Sequence, residues 1–208
     1  MKIAVLGATG NLGSRFVKSA LKSGHQITAF VRSPEKFDFK NENLTVIKGD
    51  VFNVKEMTKA FKGMDAVASF LRLHGANLPL FSKGTENIIQ AMKANNIKRL
   101  IITSEAIYGK HATNFSSGVK LLAKLYGTVN RKGIKEREEQ DKHIYNSDLD
   151  WTIIRVRTLK NGESNEKLKI EFAPRSKISG FVSNEELAPA IVKMFEQPEA
   201  YIKRNVYI

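Results

Sequence analysis

Between residues 2 and 16 the chain reads KIAVLGATGNLGSRF, an aliphatic run that breaks into Gly7, Gly10 and Gly13 at intervals of three. Phosphate chemistry suits such a stretch. A strand that enters a glycine turn and leaves as a helix brings bare backbone against a pyrophosphate, and the unpaired N–H groups and dipole of the helix favour negative charge there without a lysine. Thr9, Asn11 and Leu12 complete the turn. A side chain at Gly10 is expected to fill the volume the pyrophosphate needs and to strain a backbone chosen for glycine. A second signal closes the next aliphatic run, where an acidic residue would grip a ribose 2′-hydroxyl and an arginine would accept a 2′-phosphate. Arg32 and Ser33 stand there, and no carboxylate lies between Gln26 and Pro34. NADPH is therefore expected over NADH.

These residues require a parallel sheet to position them, and the rest of the chain carries that pattern. Lys2 to Leu6, Gln26 to Val31, Leu44 to Ile47, Ala66 to Phe70, Arg99 to Thr103 and Trp151 to Val156 are short runs rich in Ile, Val, Leu or Phe. They read as buried parallel strands. Leu12 to Lys22, Lys55 to Phe61 and Phe81 to Ala94 keep helical spacing between them. Asn53-x-x-Glu56 and Ser183-x-x-Glu186 have the form of capping boxes, placing helix starts near residues 54 and 184. The alternation predicts a doubly wound α/β sheet in a single domain over residues 1–208, with a small C-terminal region on the substrate side. Ser69, Phe70 and Leu71 would close the fourth strand at the carboxyl edge of that sheet. Their backbone is expected to line the cofactor's phosphates and nicotinamide ribose.

Composition bounds the remaining classes. The 208 residues are 42% hydrophobic and include no cysteine, and His25, His74, His111 and His143 lie far apart, so no metal site is expected. The apolar run before Gly7 is short for a signal-peptide core and no later run could span a bilayer, which predicts a soluble, cytoplasmic protein. The net charge is +13, but the lysines are scattered and no recognition-module signature accompanies them. A solvated basic surface is the expectation, with nucleic acid disfavoured and an anionic cofactor or substrate drawn in by the field.

The segments GATGNLG (7–13), FVRSPEKF (30–37), VIKGDVFN (46–53), GMDAVASFL (63–71), GTENIIQAMKANNIKRLIITS (84–104) and SDLDWTIIR (147–155) occur in an order and spacing that resemble one family. That family is the atypical short-chain dehydrogenase/reductases, particularly the small NAD(P)H-binding group that includes biliverdin-IXβ/flavin reductases and NmrA-like proteins. The resemblance implies a Rossmann fold and a cofactor of the NADP type. It places Asp50 and Val51 at the adenine edge, and Thr103 and Ser104 beside the nicotinamide. A turn role for Asp50, and local backbone satisfaction for the two hydroxyls, stand as the alternatives.

The catalytic Tyr-x-x-x-Lys pair of carbonyl-reducing short-chain enzymes is absent: Tyr108, Tyr126 and Tyr145 are followed four residues on by Ala112, Asn130 and Leu149. Hydride passage to a flavin needs mainly a well-held nicotinamide, so a planar acceptor is favoured. Ser104 is the candidate catalytic residue. Arg137 reads as a helix-surface arginine, against a pocket-facing position that relatives fill with lysine or histidine. Lys110 to Lys142 holds eight Lys/Arg against four Asp/Glu, and Val119, Leu122, Leu125, Tyr126 and Val129 would form an apolar stripe there, in the core or as a pocket wall or lid. Val156 stands where the family has proline, which leaves the geometry of the substrate loop, Arg157 to Asn161, undetermined. The leading function is an NADPH-dependent reductase of flavins, including FMN or FAD as substrate, or of quinones and similar acceptors. The alternatives are an NADP(H)-sensing regulator, a short-chain reductase acting on nucleotide sugars or carbonyls, and a nucleic-acid-binding module. Oligomeric state is not legible in these residues.

Overall fold

A computed structural model describes residues 1–37, 39–72, 78–106, 118, 121, 124, 128–156, 158–162, 168–173 and 181–208. Strands β1 (Lys2–Leu6), β2 (Gln26–Val31), β3 (Leu44–Lys48), β4 (Ala66–Ser69), β5 (Arg99–Glu105), β6 (Asp150–Val156) and β9 (Arg204–Tyr207) form a seven-stranded sheet in the order β3-β2-β1-β4-β5-β6-β9. Every neighbouring pair is parallel. Because helices cover both faces, the central strands are apolar on both: along β1, Ile3 and Val5 join one core cluster while Ala4 and Leu6 join the other.

Helices α1 (Asn11–Lys22) and α5 (Asn184–Glu196) cover the first face, through Phe16, Val17 and Ala20 against Leu187, Ile191 and Phe195. Helices α2 (Val54–Ala60), α3 (Ser82–Ala94) and α4 (Arg131–Tyr145) cover the second. Strand β1 pairs with β2 on one side and β4 on the other, so the chain winds outward in both directions from the carboxyl ends of β1 and β4. That divide is where a doubly wound sheet opens a crevice.

Asn53 caps α2 as expected, its Oδ1 accepting the Glu56 N–H at 3.2 Å. Ser183 also caps α5, but its hydroxyl accepts from the Glu185 N–H at 3.1 Å, one residue earlier than the box spacing implied, while donating to the Gly162 carbonyl at 2.6 Å. Strand β9 and the short pair β7 (Leu159–Lys160) and β8 (Val182–Ser183) were not expected from the sequence. Only Val206 of β9 is buried, so this edge strand has no aliphatic run to announce it. The helix expected around Arg137 has no bounds in the sequence for a related reason. Its buried face is Gly133, Arg137, Gln140, Asp141 and Ile144, helical in spacing but polar in type, so an apolar count finds nothing. Most of the expected stripe, with Tyr108 and Arg157, lies outside the described residues, and Val129 is 89% exposed.

Candidate functional site

The three glycines do different work. Gly7 has φ +72°, and a Cβ there would stand 2.6 Å from the Phe70 carbonyl oxygen, so both its conformation and its surroundings demand glycine. Gly13 lies in the first turn of α1, where a Cβ would meet the Gly7 carbonyl oxygen at 2.2 Å. Gly10 is unlike either: with φ −79° and ψ 167° it is ordinary extended backbone, and a Cβ would meet the Gly7 oxygen at 3.2 Å, close but not the overlap found at Gly7 and Gly13. The expected backbone strain at Gly10 is therefore corrected. Its bareness serves open space above the turn.

Gly10 is the N-cap of α1, which has no side-chain cap and no acidic residue in its first turn. The N–H groups of Asn11, Leu12 and Gly13 donate to no protein acceptor among the described residues. Thr9 and Asn11 are exposed, whereas Leu12 is buried. A row of unpaired amides with the positive end of a helix dipole is a ready acceptor of an anion.

Beside this turn lies a pocket of about 120 Å³ lined by Gly7, Thr9, Arg32, Ser33, Lys36 and Val51 together with parts of β1, β2 and Gly49. No carboxylate lines it. Arg32 is exposed at the end of β2, and neither it nor Lys36 forms an ion pair among the described residues. Lys36 is not among the site residues the sequence suggests; it reaches this pocket at the end of a short 3-10 turn, Pro34–Lys36. Asp50 and Val51 separate. Val51 is buried against the pocket, its carbonyl held by the Asn87 Nδ2 at 3.0 Å, while Asp50 is exposed and closes an Asx turn onto the Phe52 N–H at 2.9 Å.

The carboxyl ends of β4 and β5 lie on the other side of β1 from this pocket. Ser69 is fully buried, Phe70 is buried and rings with Phe16 at 5.0 Å, and Leu71 is half-buried. Thr103 Oγ1 reaches toward the Ser69 carbonyl at 3.5 Å. Ser104 is 2% exposed and sits in a directed chain: Arg137 donates to its Oγ at 3.4 Å, Ser104 donates to Gln140 Oε1 at 3.4 Å, and Gln140 Nε2 donates to Thr85 Oγ1 at 3.0 Å. The surface reading of Arg137 is thus overturned. This arginine is 6% exposed, pairs with Glu105 at 2.7 Å, and places its guanidinium 3.7 Å from the centre of the Phe81 ring.

Tyr145 is occupied structurally. Its hydroxyl accepts from the buried Arg155 at 3.1 Å and from Asn205 Nδ2 at 3.2 Å, and its ring packs on Trp151. Burial also holds the nearby Tyr207 phenol above its ordinary range, opposed by Arg155 and aided by Tyr145 and Asp141. Among the described residues no cluster of His, Asp or Glu is arranged to hold a metal, and no helix is long and apolar enough to cross a membrane.

Residues 7–198 match the NAD(P)H-binding family. The isoflavone reductase homolog A622 of Nicotiana tabacum is 33% identical over 132 residues, 59% of this chain and 41% of its own length. The chain thus spans about two fifths of that relative. A short-chain dehydrogenase/reductase from Veillonella parvula, solved in complex with NADP, is 21% identical with a TM-score of 0.79, covering 99% of this chain and 93% of that one. An anaerobilin reductase from Escherichia coli O157:H7 is 17% identical with a TM-score of 0.78, covering 100% and 97%. At such identities these two structures attest a shared Rossmann fold.

Proposed function

The chain belongs to the NAD(P)H-binding family, and we propose that it works as an NADPH-dependent reductase of a flavin, a quinone or a similar planar acceptor. The observation that carries this reading is the uncapped start of α1 beside a carboxylate-free pocket holding Arg32 and Lys36. In it, the turn from Gly7 to Gly13 holds the pyrophosphate on the Asn11, Leu12 and Gly13 amides, with Thr9 at its rim. Arg32, Ser33 and Lys36 take the 2′-phosphate, while Asp50 and Val51 edge the adenine. Ser69, Phe70 and Leu71 line the passage to the nicotinamide, which Thr103 and Ser104 face. The bound cofactor supplies a hydride; the protein's part is to hold both rings and keep water away.

The relative named as an isoflavone reductase homolog and the neighbours named as an NADP complex and an anaerobilin reductase support a reductase of this kind. No Tyr–Lys acid is needed for it. Steady-state oxidation of NADPH with a panel of flavins and quinones tests the proposal, and turnover with at least one acceptor is expected. Tight NADPH binding without turnover of any acceptor would favour the cofactor-sensing alternative.

Cofactor choice follows from the pocket. A charge-assisted hydrogen bond contributes about 1.5–3 kcal/mol, so Arg32→Ala should weaken NADPH roughly ten- to a hundredfold and barely affect NADH. Arg32→Asp should reverse the preference, because a carboxylate repels the phosphate and accepts from ribose hydroxyls. Titrating both cofactors at fixed salt decides the point; equal losses for the two would make Arg32 a surface residue. Tyr145→Phe should keep most of the turnover while costing about 1 kcal/mol of stability through its lost hydrogen bonds. A fall of several orders of magnitude with NADPH binding intact would instead identify Tyr145 as an acid.

A further inference from the structure

Arg137 is an almost dry arginine whose counter-ion stands in the wet. Its side chain is 7% exposed, whereas that of Glu105, its ion-pair partner at 2.7 Å, is 36% exposed at the last position of β5. A guanidinium cannot shed its charge, so a buried one keeps an anion beside it under all ordinary conditions. The rest of this guanidinium is fixed by other contacts. Phe81 lies 3.7 Å away, and Ser104 accepts from Nη1, itself locked by the onward chain to Gln140 and Thr85. Because arginine only donates, Ser104 is the acceptor in this contact. What remains changeable is the exposed side, where a carboxylate is held by a side chain already partly in water. The Nη2 that meets this carboxylate belongs to a planar fork, which suits a phosphate or carboxylate better than any neutral group.

We propose that Arg137 selects acceptors carrying an oxyanion, phosphate or carboxylate, and that Glu105 is the internal counter-ion which such a group displaces. The proposal rests on the reductase reading, which puts the acceptor at the carboxyl ends of β4 and β5. The exchange leaves the buried charge balanced, since one oxyanion replaces another on Arg137 and Glu105 turns fully into water. Specificity then comes from the cost an acceptor without the oxyanion does not meet: it leaves the Glu105–Arg137 pair closed across the site.

FMN and riboflavin share one ring system and differ by a phosphate, so their ratio of affinities isolates the contact. Binding is read by quenching of flavin fluorescence, with the protein saturated in NADP⁺ so that the dinucleotide site is closed to flavin. For the wild type, FMN is expected to bind roughly ten- to a hundredfold more tightly than riboflavin. Arg137→Met should bring the ratio near one, and Glu105→Gln, which removes the competitor while keeping its shape, should widen it. If Arg137→Met does not fold, Glu105→Gln decides alone, and a ratio that stays or falls overturns the assignment. Equal binding of the two flavins by wild type also overturns it, with the planar-acceptor reading left standing. Failure of the wild type to bind either flavin overturns both for flavins.

Discussion

Asp141→Ala should lower the melting temperature by roughly 6 to 20 °C, because it strips the carboxylate from a guanidinium that has no route to water. Arg155 is 0% exposed and donates to Asp141 Oδ2 at 2.7 Å, to Asn205 Oδ1 at 2.8 Å and to the Tyr145 hydroxyl. Removing one partner of a buried ion pair costs about 3–5 kcal/mol, and a chain of this size loses about 2–4 °C per kcal/mol. Replacing both is a different matter. The double variant Asp141→Leu/Arg155→Met removes both charges of this pair, and part of the lost stability should return. Thermal unfolding followed by circular dichroism reads both, and an Asp141→Ala melt within about 2 °C of wild type would mean that the pair does not hold α4 to β6. The consequence extends to the site, since α4 also carries Arg137 and Gln140.

The same helix shows where sequence reading stops. The sheet's inner strands were legible because burial on both faces forces unbroken aliphatic runs, and the glycine turn because its spacing is tied to a backbone path. Helix α4 docks through Arg137, Gln140 and Asp141, residues whose types announce a solvent face and whose burial depends on partners far away in the chain: Glu105 and Arg155 on two strands and Thr85 on α3. Polarity predicts exposure only until another polar group answers it. Lys36 is a smaller case of the same kind, since nothing in PEK indicates that the turn will bring this lysine to the pocket that Arg32 lines. Strand β9 is extended by pairing, with Thr152 to Arg155 as its template, more than by its own composition.

The glycine turn separates binding from folding residue by residue, and two variants three positions apart should therefore fail in opposite ways. At Gly13 a Cβ would lie 2.2 Å from the Gly7 oxygen and 2.9 Å from its carbonyl carbon. Backbone on both sides has nowhere to go, so Gly13→Ala should lose about 1–3 kcal/mol or more to overpacking and melt early. At Gly10 the backbone is already extended, and the nearest atom to a new Cβ, the Gly7 oxygen, is 3.2 Å away, a close contact that a shift of a few tenths of an ångström relieves. Gly10→Val should lose less stability than Gly13→Ala, yet its branches would occupy the space over the Asn11, Leu12 and Gly13 amides. Losing two phosphate hydrogen bonds at about 1.5–3 kcal/mol each would weaken dinucleotide binding by roughly two to four orders of magnitude. Melting curves paired with NADPH titrations distinguish the cases: a folded Gly10→Val that binds NADPH normally would remove the turn from the nucleotide site, and an early-melting Gly10→Val would return it to the class of Gly7 and Gly13.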